Sequence, residues 1–385
     1  MNNFEFYNPT RIVFGKGKIA ELNRLVPKEA KVLILFGGES ARKTGTLDEV
    51  EQALGEREVG LFSGIEANPR YETLIKAVDK IHQEGYNYLL AVGGGSVIDG
   101  TKFVAAAVNF EGDLWEILTS GGTKVTSALP FGTVLTLPAT GSEMNKGSVI
   151  TREATQSKRA FMHDSLYPQF SILDPVKTFT LPPRQISNGV VDAFVHLMEQ
   201  YLTYPTHAYV QDAFAEGLLK TLIDIGPKAL ATPHDYDLRA SLMWTATLAL
   251  NGLIGAGVPQ DWSTHMLGHE ITALYGLDHA QTLAIVLPSM LKEKLPQKQA
   301  KLVQYAQQVW GINEGSEEQK ALQAIELTRA FFERMDVKTR FSDYNLNDDV
   351  IDPLIESLTQ NGMTALGEHH DITPEVSRRV YVASL

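Results

Sequence analysis

Tyr88-Leu89-Leu90-Ala91-Val92-Gly93-Gly94-Gly95-Ser96-Val97-Ile98-Asp99-Gly100-Thr101-Lys102-Phe103 joins an apolar run, three glycines and a segment of helical spacing without interruption. A short apolar run closed by glycine is a buried strand, and the 3.6-residue spacing after it starts a helix. Glycines in such a turn let the backbone approach a ligand closely, and the free N–H groups at the helix start favour a pyrophosphate. An ordinary strand-to-helix turn favours glycine equally, so the segment alone fits both uses. No G-x-G-x-x-G fingerprint occurs.

On either side, Lys31–Phe36 and Thr133–Leu137 are further buried strands, and the segments around Glu49–Leu54 and Tyr71–Glu84 are amphipathic helices. Strands alternating with helices predict a parallel sheet covered on both faces. The texture changes after Leu181-Pro182-Pro183: helical periodicity runs from Ile186 to the end, with breaks expected at Gly226-Pro227 and Gly255–Pro259. A chain of 385 residues exceeds the roughly 250 to 300 that one core sustains, so two domains are expected, 1–183 and 184–385.

The formal net charge of −12, with no basic cluster, excludes a nucleic-acid partner. The absence of cysteine excludes disulfides, iron–sulfur clusters and cysteine-bound zinc, leaving His, Asp and Glu as metal ligands. Neither a basic, apolar leader at Met1–Tyr7 nor an apolar run of about 18 residues is present, so a cytoplasmic protein with no membrane partner is expected.

Two other strand ends carry turn chemistry. Gly37-Gly38-Glu39-Ser40 follows Lys31–Phe36, where nucleotide folds recognise the adenosine ribose. Gly37, Gly38 and Ser40, with Arg42 and Lys43 nearby, leave room and charge for a 2′-phosphate, whereas Glu39 suits a free 2′-hydroxyl. Thr136-Leu137-Pro138-Ala139-Thr140-Gly141-Ser142-Glu143 offers hydroxyls to phosphate or ribose, or forms a plain Ser/Thr turn.

Asp192 and His196 stand four apart in a helical segment, as do His265 and His269, and His279 follows beyond Gly276. The spacing puts each pair on one helix face, where it can grip a metal. Either pair alone is more often a surface contact or a satisfied core histidine, but one Asp and three His suffice for a tetrahedral or open site. No H-E-x-x-H motif and no Tyr-x-x-x-Lys pair occurs.

Taken together, Pro9–Gly15, Gly93–Ser96 with Asp99, Thr136–Glu143, Thr180–Pro183, Gly189–His196 and Gly255 through His279 resemble the iron-containing (group III) alcohol dehydrogenases over essentially the whole chain. The likeness is greatest to bacterial NADPH-dependent aldehyde reductases and butanol dehydrogenases. It implies a Rossmann-like, dinucleotide-binding α/β domain and an all-α metal-binding domain in a dehydroquinate synthase-like fold. It assigns one divalent cation, Zn2+ or Fe2+, to Asp192, His196, His265 and His279, with Asp192 the only charged ligand, and a proton-relay role to His269. It also assigns dinucleotide contacts to Gly38, Gly94, Gly95, Ser96, Asp99, Thr136, Thr140, Asn145 and Lys158, with Ser40 near the adenosine end and NADP(H) favoured over NAD(H). The implied reaction is hydride transfer between NAD(P)H and small aldehydes or primary alcohols, in a homodimer whose edge Phe4–Tyr7 supplies. The rival is a metal- and NAD-dependent lyase or cyclase of the dehydroquinate-synthase kind, but its phosphorylated substrate would require basic residues beside the metal, where only Arg184 occurs.

Overall fold

Unbroken apolar runs become interior strands of a parallel sheet because both of their faces must be covered. The computed structural model describes all 385 residues, and six of its strands make that sheet: β1 (Arg11–Phe14), β2 (Val32–Phe36), β3 (Val59–Phe62), β4 (Tyr88–Gly94), β5 (Phe131–Leu137) and β8 (Phe170–Leu173), in the order β1-β8-β5-β4-β2-β3. β6 (Gly147–Arg152) and β7 (Ser157–Met162) form a separate antiparallel pair. Alternate residues go to opposite faces. Leu33, Leu35, Leu89 and Ala91 pack with Leu74 and Val78 of helix α2 (Tyr71–Glu84) and Phe103 and Val104 of α3 (Gly95–Ala107). Ile34, Phe36, Leu90 and Val92 instead pack with Leu47, Val50 and Leu54 of α1 (Thr46–Leu54).

The strand order creates a switch point. β2 leads through α1 to β3 on one side, while its neighbour β4 leads through α3 to β5 on the other. Connections that leave neighbouring strands in opposite directions open a crevice at the carboxyl edge, the usual ligand position in such sheets. Gly37-Gly38 and Gly93–Ser96 flank that crevice, and Thr136–Thr140 follows on the next strand.

The second half is helical, as expected. Pro183 occupies the first turn of α4 (Pro183–Tyr201), where its missing N–H costs nothing. Every α4 residue from Gly189 to Tyr201 is buried, so α4 is the central helix of its unit. Then follow α5 (Tyr209–Ala231), α6 (Tyr236–Ala249), α7 (Ser263–Tyr275), α8 (His279–Glu293), α9 (Leu295–Trp310), α10 (Glu317–Arg334), α11 (Ile351–Gln360) and α12 (Pro374–Ala383). Leu267 and Ile271 of α7, Ile285 and Met290 of α8, Leu354 of α11 and Tyr381 of α12 share one buried cluster.

The break expected at Gly226-Pro227 does not occur: α5 runs through both residues. A Cβ at Gly226 would lie 3.0 Å from Val190 Cγ1 and 3.1 Å from Met335 Sδ, so this glycine serves close helix packing. By contact, one unit comprises Tyr7–Leu181 with Pro233–Thr247 and the other Met1–Phe6, Pro182–Thr232 and Leu248–Leu385. The chain thus changes unit at Pro182, the first of the proline pair, and also at Tyr7, Pro233 and Leu248, passages absent from a linear division at residue 183. The reason is packing: Met243 of α6 is fully buried in the core around Phe103 and Leu135.

A Cβ at Gly132 on β5 would stand 2.3 Å from Phe170 Cζ on β8. Gly132→Ala is therefore expected to destabilise the protein by about 1 to 3 kcal/mol, the usual cost of overpacking, read as a lower urea midpoint.

Candidate metal centre and nucleotide-binding edge

α4 presents Asp192 and His196 on one face, one turn apart. α7 carries His265 in its first turn and His269 in its second, and His279 is the first residue of α8. Asp278 fixes the start of α8. Its backbone N–H donates to Gln281 Oε1 at 3.0 Å, and its carboxylate accepts from Asn188 Nδ2 at 2.7 Å and pairs with Arg184 Nε at 2.9 Å. Two α4 side chains thereby hold the turn that positions His279.

These elements bring three imidazoles to one carboxylate oxygen. Asp192 Oδ1 lies 3.4 Å from His196 Nε2, 4.0 Å from His265 Nε2 and 3.8 Å from His279 Nε2. The donor atoms of Asp192, His265 and His279 all lie within 4.8 Å of one another. Ligands at about 2.1 Å from one cation can be at most about 4.2 Å apart, a limit that all three distances to Asp192 meet. Burial pushes the His196 imidazole down to about 4, so it is neutral at neutral pH with a lone pair to offer. Three imidazoles and one carboxylate suit both Zn2+ and Fe2+. The His279 side chain is 23% exposed, whereas those of Asp192, His196 and His265 are at most 7%, so solvent reaches the cluster on the His279 side. His269 is buried behind it, its ring 5.2 Å from that of His279 and 6.3 Å from that of His265.

Two residues here escaped the reading of the sequence. Glu199 accepts from the backbone N–H of Thr264 at 2.6 Å and of His265 at 3.2 Å, and is hydrogen-bonded to His265 Nδ1. Its signal was present: it follows Asp192 by seven and His196 by three, on the same helix face. Trp262 had no signal. It adopts a left-handed backbone, φ 64°, with its ring 5.2 Å from that of His265. Such a conformation costs on the order of 1 to 2 kcal/mol in a bulky residue. The preceding residue is anchored: buried Lys298 Nζ donates to Asp261 Oδ2 at 2.8 Å, Glu368 Oε1 at 2.7 Å and the Leu202 carbonyl at 2.6 Å.

At the sheet edge, the glycines of the opening stretch are required by their neighbours. A Cβ at Gly93 would meet Val97 Cγ2 at 2.6 Å, and one at Gly95 would meet Thr140 Oγ1 at 2.2 Å. Gly94 backs on Leu137, whereas Gly38 faces open space and Gly37 approaches the Ile65 carbonyl. Gly38, Glu39 and Ser40 are exposed, with Ser40 opening a short helix, and the Arg42 guanidinium lies over the Phe36 ring at 5.9 Å. Thr136 is half-buried at the end of β5, and Thr140 Oγ1 accepts from Ser142 N at 3.1 Å.

Other residues assigned by resemblance are bound within the protein. Asp99 accepts from Ser142 Oγ at 2.5 Å and from Val149 N at 2.9 Å. Lys102, one turn further along α3 and fully buried, donates to Ser142 Oγ at 2.9 Å, Asn145 Oδ1 at 3.0 Å and the Gly147 carbonyl at 2.7 Å. Burial pushes Lys102 down to about 8 and Asp99 up. Together they clamp residues 142–149 onto α3. Lys158 donates to Asn68 Oδ1 at 3.0 Å, and the Asn68 N–H reaches Ser96 Oγ at 3.5 Å, so Asn68, at φ 86°, gathers two expected cofactor residues. Asn tolerates that backbone, and Asn68-Pro69 is a turn signal the sequence did contain.

Residues 9–175 match the family described as iron-containing alcohol dehydrogenase, and residues 186–373 match the C-terminal part of the Fe-containing alcohol dehydrogenase family. The chain is 58% identical over 386 residues to the NADPH-dependent aldehyde reductase YqhD of Escherichia coli (strain K12), with 100% of both covered. It is 38% identical over 390 residues to the probable NADH-dependent butanol dehydrogenase 1 of Bacillus subtilis (strain 168), again with 100% of both covered. The E. coli K-12 YqhD crystal structure superimposes with a TM-score of 0.99 at 58% identity, covering 100% of this chain and 99% of that one. The NADH-dependent butanol dehydrogenase A of Thermotoga maritima gives 0.95 at 34% identity, with 100% and 99% covered.

Lys102→Met would leave the half-buried Asp99 and three acceptors without their cation. The expected loss is on the order of 3 kcal/mol in urea unfolding, as for other buried charge pairs stripped of one partner.

Proposed function

The chain belongs to the iron-containing alcohol dehydrogenase family, a family of oxidoreductases, and on that premise we propose that it reduces small aldehydes to primary alcohols with NADPH at one divalent cation, Zn2+ or Fe2+, held by Asp192, His196, His265 and His279. The observation that carries this reading is the approach of three imidazole Nε2 atoms to within 4.0 Å of one Asp192 oxygen. Bound there, the cation supplies Lewis acidity to the carbonyl oxygen while the dihydronicotinamide supplies the hydride.

The protein's own contribution is arrangement. Asp192 and the three imidazoles present converging lone pairs, and their burial keeps bulk water away from all but the His279 side. His269, one turn beyond His265 and with its ring 5.2 Å from that of the part-exposed His279, would relay the proton between the site and solvent. Gly94, Gly95 and Ser96 lie at a helix start suited to the pyrophosphate, with Thr136, Thr140, Asn145 and Lys158 alongside, while Asp99 holds the loop that carries Asn145. Gly37, Gly38 and Ser40 receive the adenosine end, where Arg42 and Lys43 support NADP(H), in line with the NADPH dependence in the name of the E. coli relative. Against the lyase alternative, Arg184 is engaged by Asp278.

A cytoplasmic homodimer completes the proposal. Phe4, Phe6 and Tyr7 are 52%, 44% and 57% exposed, apolar surface that a second copy would cover. No helix is long and apolar enough to cross a membrane.

Chelator-treated protein is expected to stop oxidising NADPH in the presence of butanal and to regain activity on adding Zn2+ or Fe2+; undiminished turnover in metal-free protein would refute the cation site. His269→Ala is expected to lower kcat by about 100-fold or more, within the usual range for a lost proton-transfer group, with metal content unchanged. Loss of metal in that variant would make His269 a ligand instead.

A further inference from the structure

The proposed cation site leaves one buried carboxylate without a role. Glu199 is 2% exposed and lies on the same face of α4 as Asp192 and His196. From the hydrogen bonding of Glu199 to His265 Nδ1 and to the first turn of α7, we propose that Glu199 is a positioning residue. It holds His265 in the Nδ1–H tautomer, with Nε2 turned to the Asp192 oxygen, and so sets the cation affinity of the site. This inference rests on the reading of the four donors as one site.

The chemistry follows from the donor inventory. A neutral imidazole has one N–H and one lone pair, and an ionised carboxylate can only accept. A hydrogen bond between His265 Nδ1 and Glu199 Oε2 therefore places the proton on Nδ1 and the lone pair on Nε2, the atom 4.0 Å from Asp192 Oδ1. Burial pushes the Glu199 carboxyl well up, an effect that the two backbone N–H groups at the start of α7 oppose; Oε1 accepts from Thr264 N and Oε2 from His265 N, so both oxygens are engaged as acceptors and Oε2 faces His265 Nδ1. His196 differs: its Nδ1 is buried with no hydrogen-bond partner.

The carboxylate is itself fixed. The Glu199 carbonyl accepts from Asp261 N at 2.9 Å, and the Asp261 side chain is bound to buried Lys298 at 2.8 Å. Residues 261–265 are thus fastened to α4 through both the backbone and the side chain of Glu199. Asp192 remains the only charged ligand, and Glu199 stands one hydrogen bond behind His265. Electron donation through His265 strengthens the imidazole as a ligand, and removing such a partner lowers metal affinity by about 10- to 100-fold.

The test is a titration of metal-free wild type, Glu199→Gln and Asp192→Ala with Co2+, followed by calorimetry and by visible d–d absorption. Glu199→Gln keeps the shape of the side chain but removes its charge and replaces one of its two acceptor oxygens with an amide N–H that cannot accept. The expected result is Co2+ binding about 10- to 100-fold weaker than wild type, with a shifted d–d band at saturation and an unchanged far-ultraviolet circular dichroism spectrum. Wild-type affinity and band in Glu199→Gln would overturn the role of Glu199 while leaving the cation site intact. Wild-type affinity in Asp192→Ala would overturn the site itself and this inference with it. If Glu199→Gln does not fold, 15N spectra of Zn2+-loaded wild type, with His265 assigned, decide the matter: an Nδ1-bound proton supports the proposal, and an Nε2-bound proton refutes it.

Discussion

A carboxylate buried in a helix that is itself buried is the constraint around which the helical unit is arranged. Asp192 is 4% exposed and lies midway along α4. Removing such a charge from water costs several kcal/mol unless partners replace the lost hydration. Three imidazoles from α4, α7 and α8 crowd around one of its oxygens. Further interactions serve those positions: Asp278 with Arg184 and Asn188 seats His279, Glu199 seats His265, and Lys298 with Asp261 and Glu368 fastens the approach to α7. The left-handed backbone of Trp262 sits in that approach, beside the anchored Asp261.

The sheet unit is marked by a different feature, a glycine-rich carboxyl edge at the switch point of the strand order. The glycines that open this edge are dictated by what lies behind them. Gly93 and Gly95 have no room for a Cβ because Val97 and Thr140 fill it. Behind the edge, Lys102 and Asp99 hold residues 142–149 against α3 through hydrogen bonds that are buried or partly buried. The charged residues nearest the turn thus act mainly on its shape.

The two expectations that shifted in the structure have a common cause. Gly226-Pro227 has the composition of a helix break, but its glycine admits Val190 and Met335 at close range and its proline is carried within a continuous helix. α6 has the periodicity of the helical half, yet Met243 gives most of it to the core of the sheet unit. In both places, contacts with residues remote in sequence outweigh local propensity.

Local order along the chain was enough to specify the strand–glycine–helix stretch at Tyr88–Phe103, the parallel sheet, the change to helices after Pro182 and the helical pairs Asp192/His196 and His265/His269, because each depends on spacing between near neighbours. Tertiary structure alone decided that His279 comes within 3.8 Å of Asp192, that Glu199 rather than solvent meets His265 Nδ1, that Lys102 closes on Ser142 and Asn145, and that Trp262 takes a left-handed backbone. The physical reason is that periodicity fixes which side of an element a residue faces, whereas the distance between groups on different elements is fixed only when their shared surfaces are packed and every buried polar atom has to be matched.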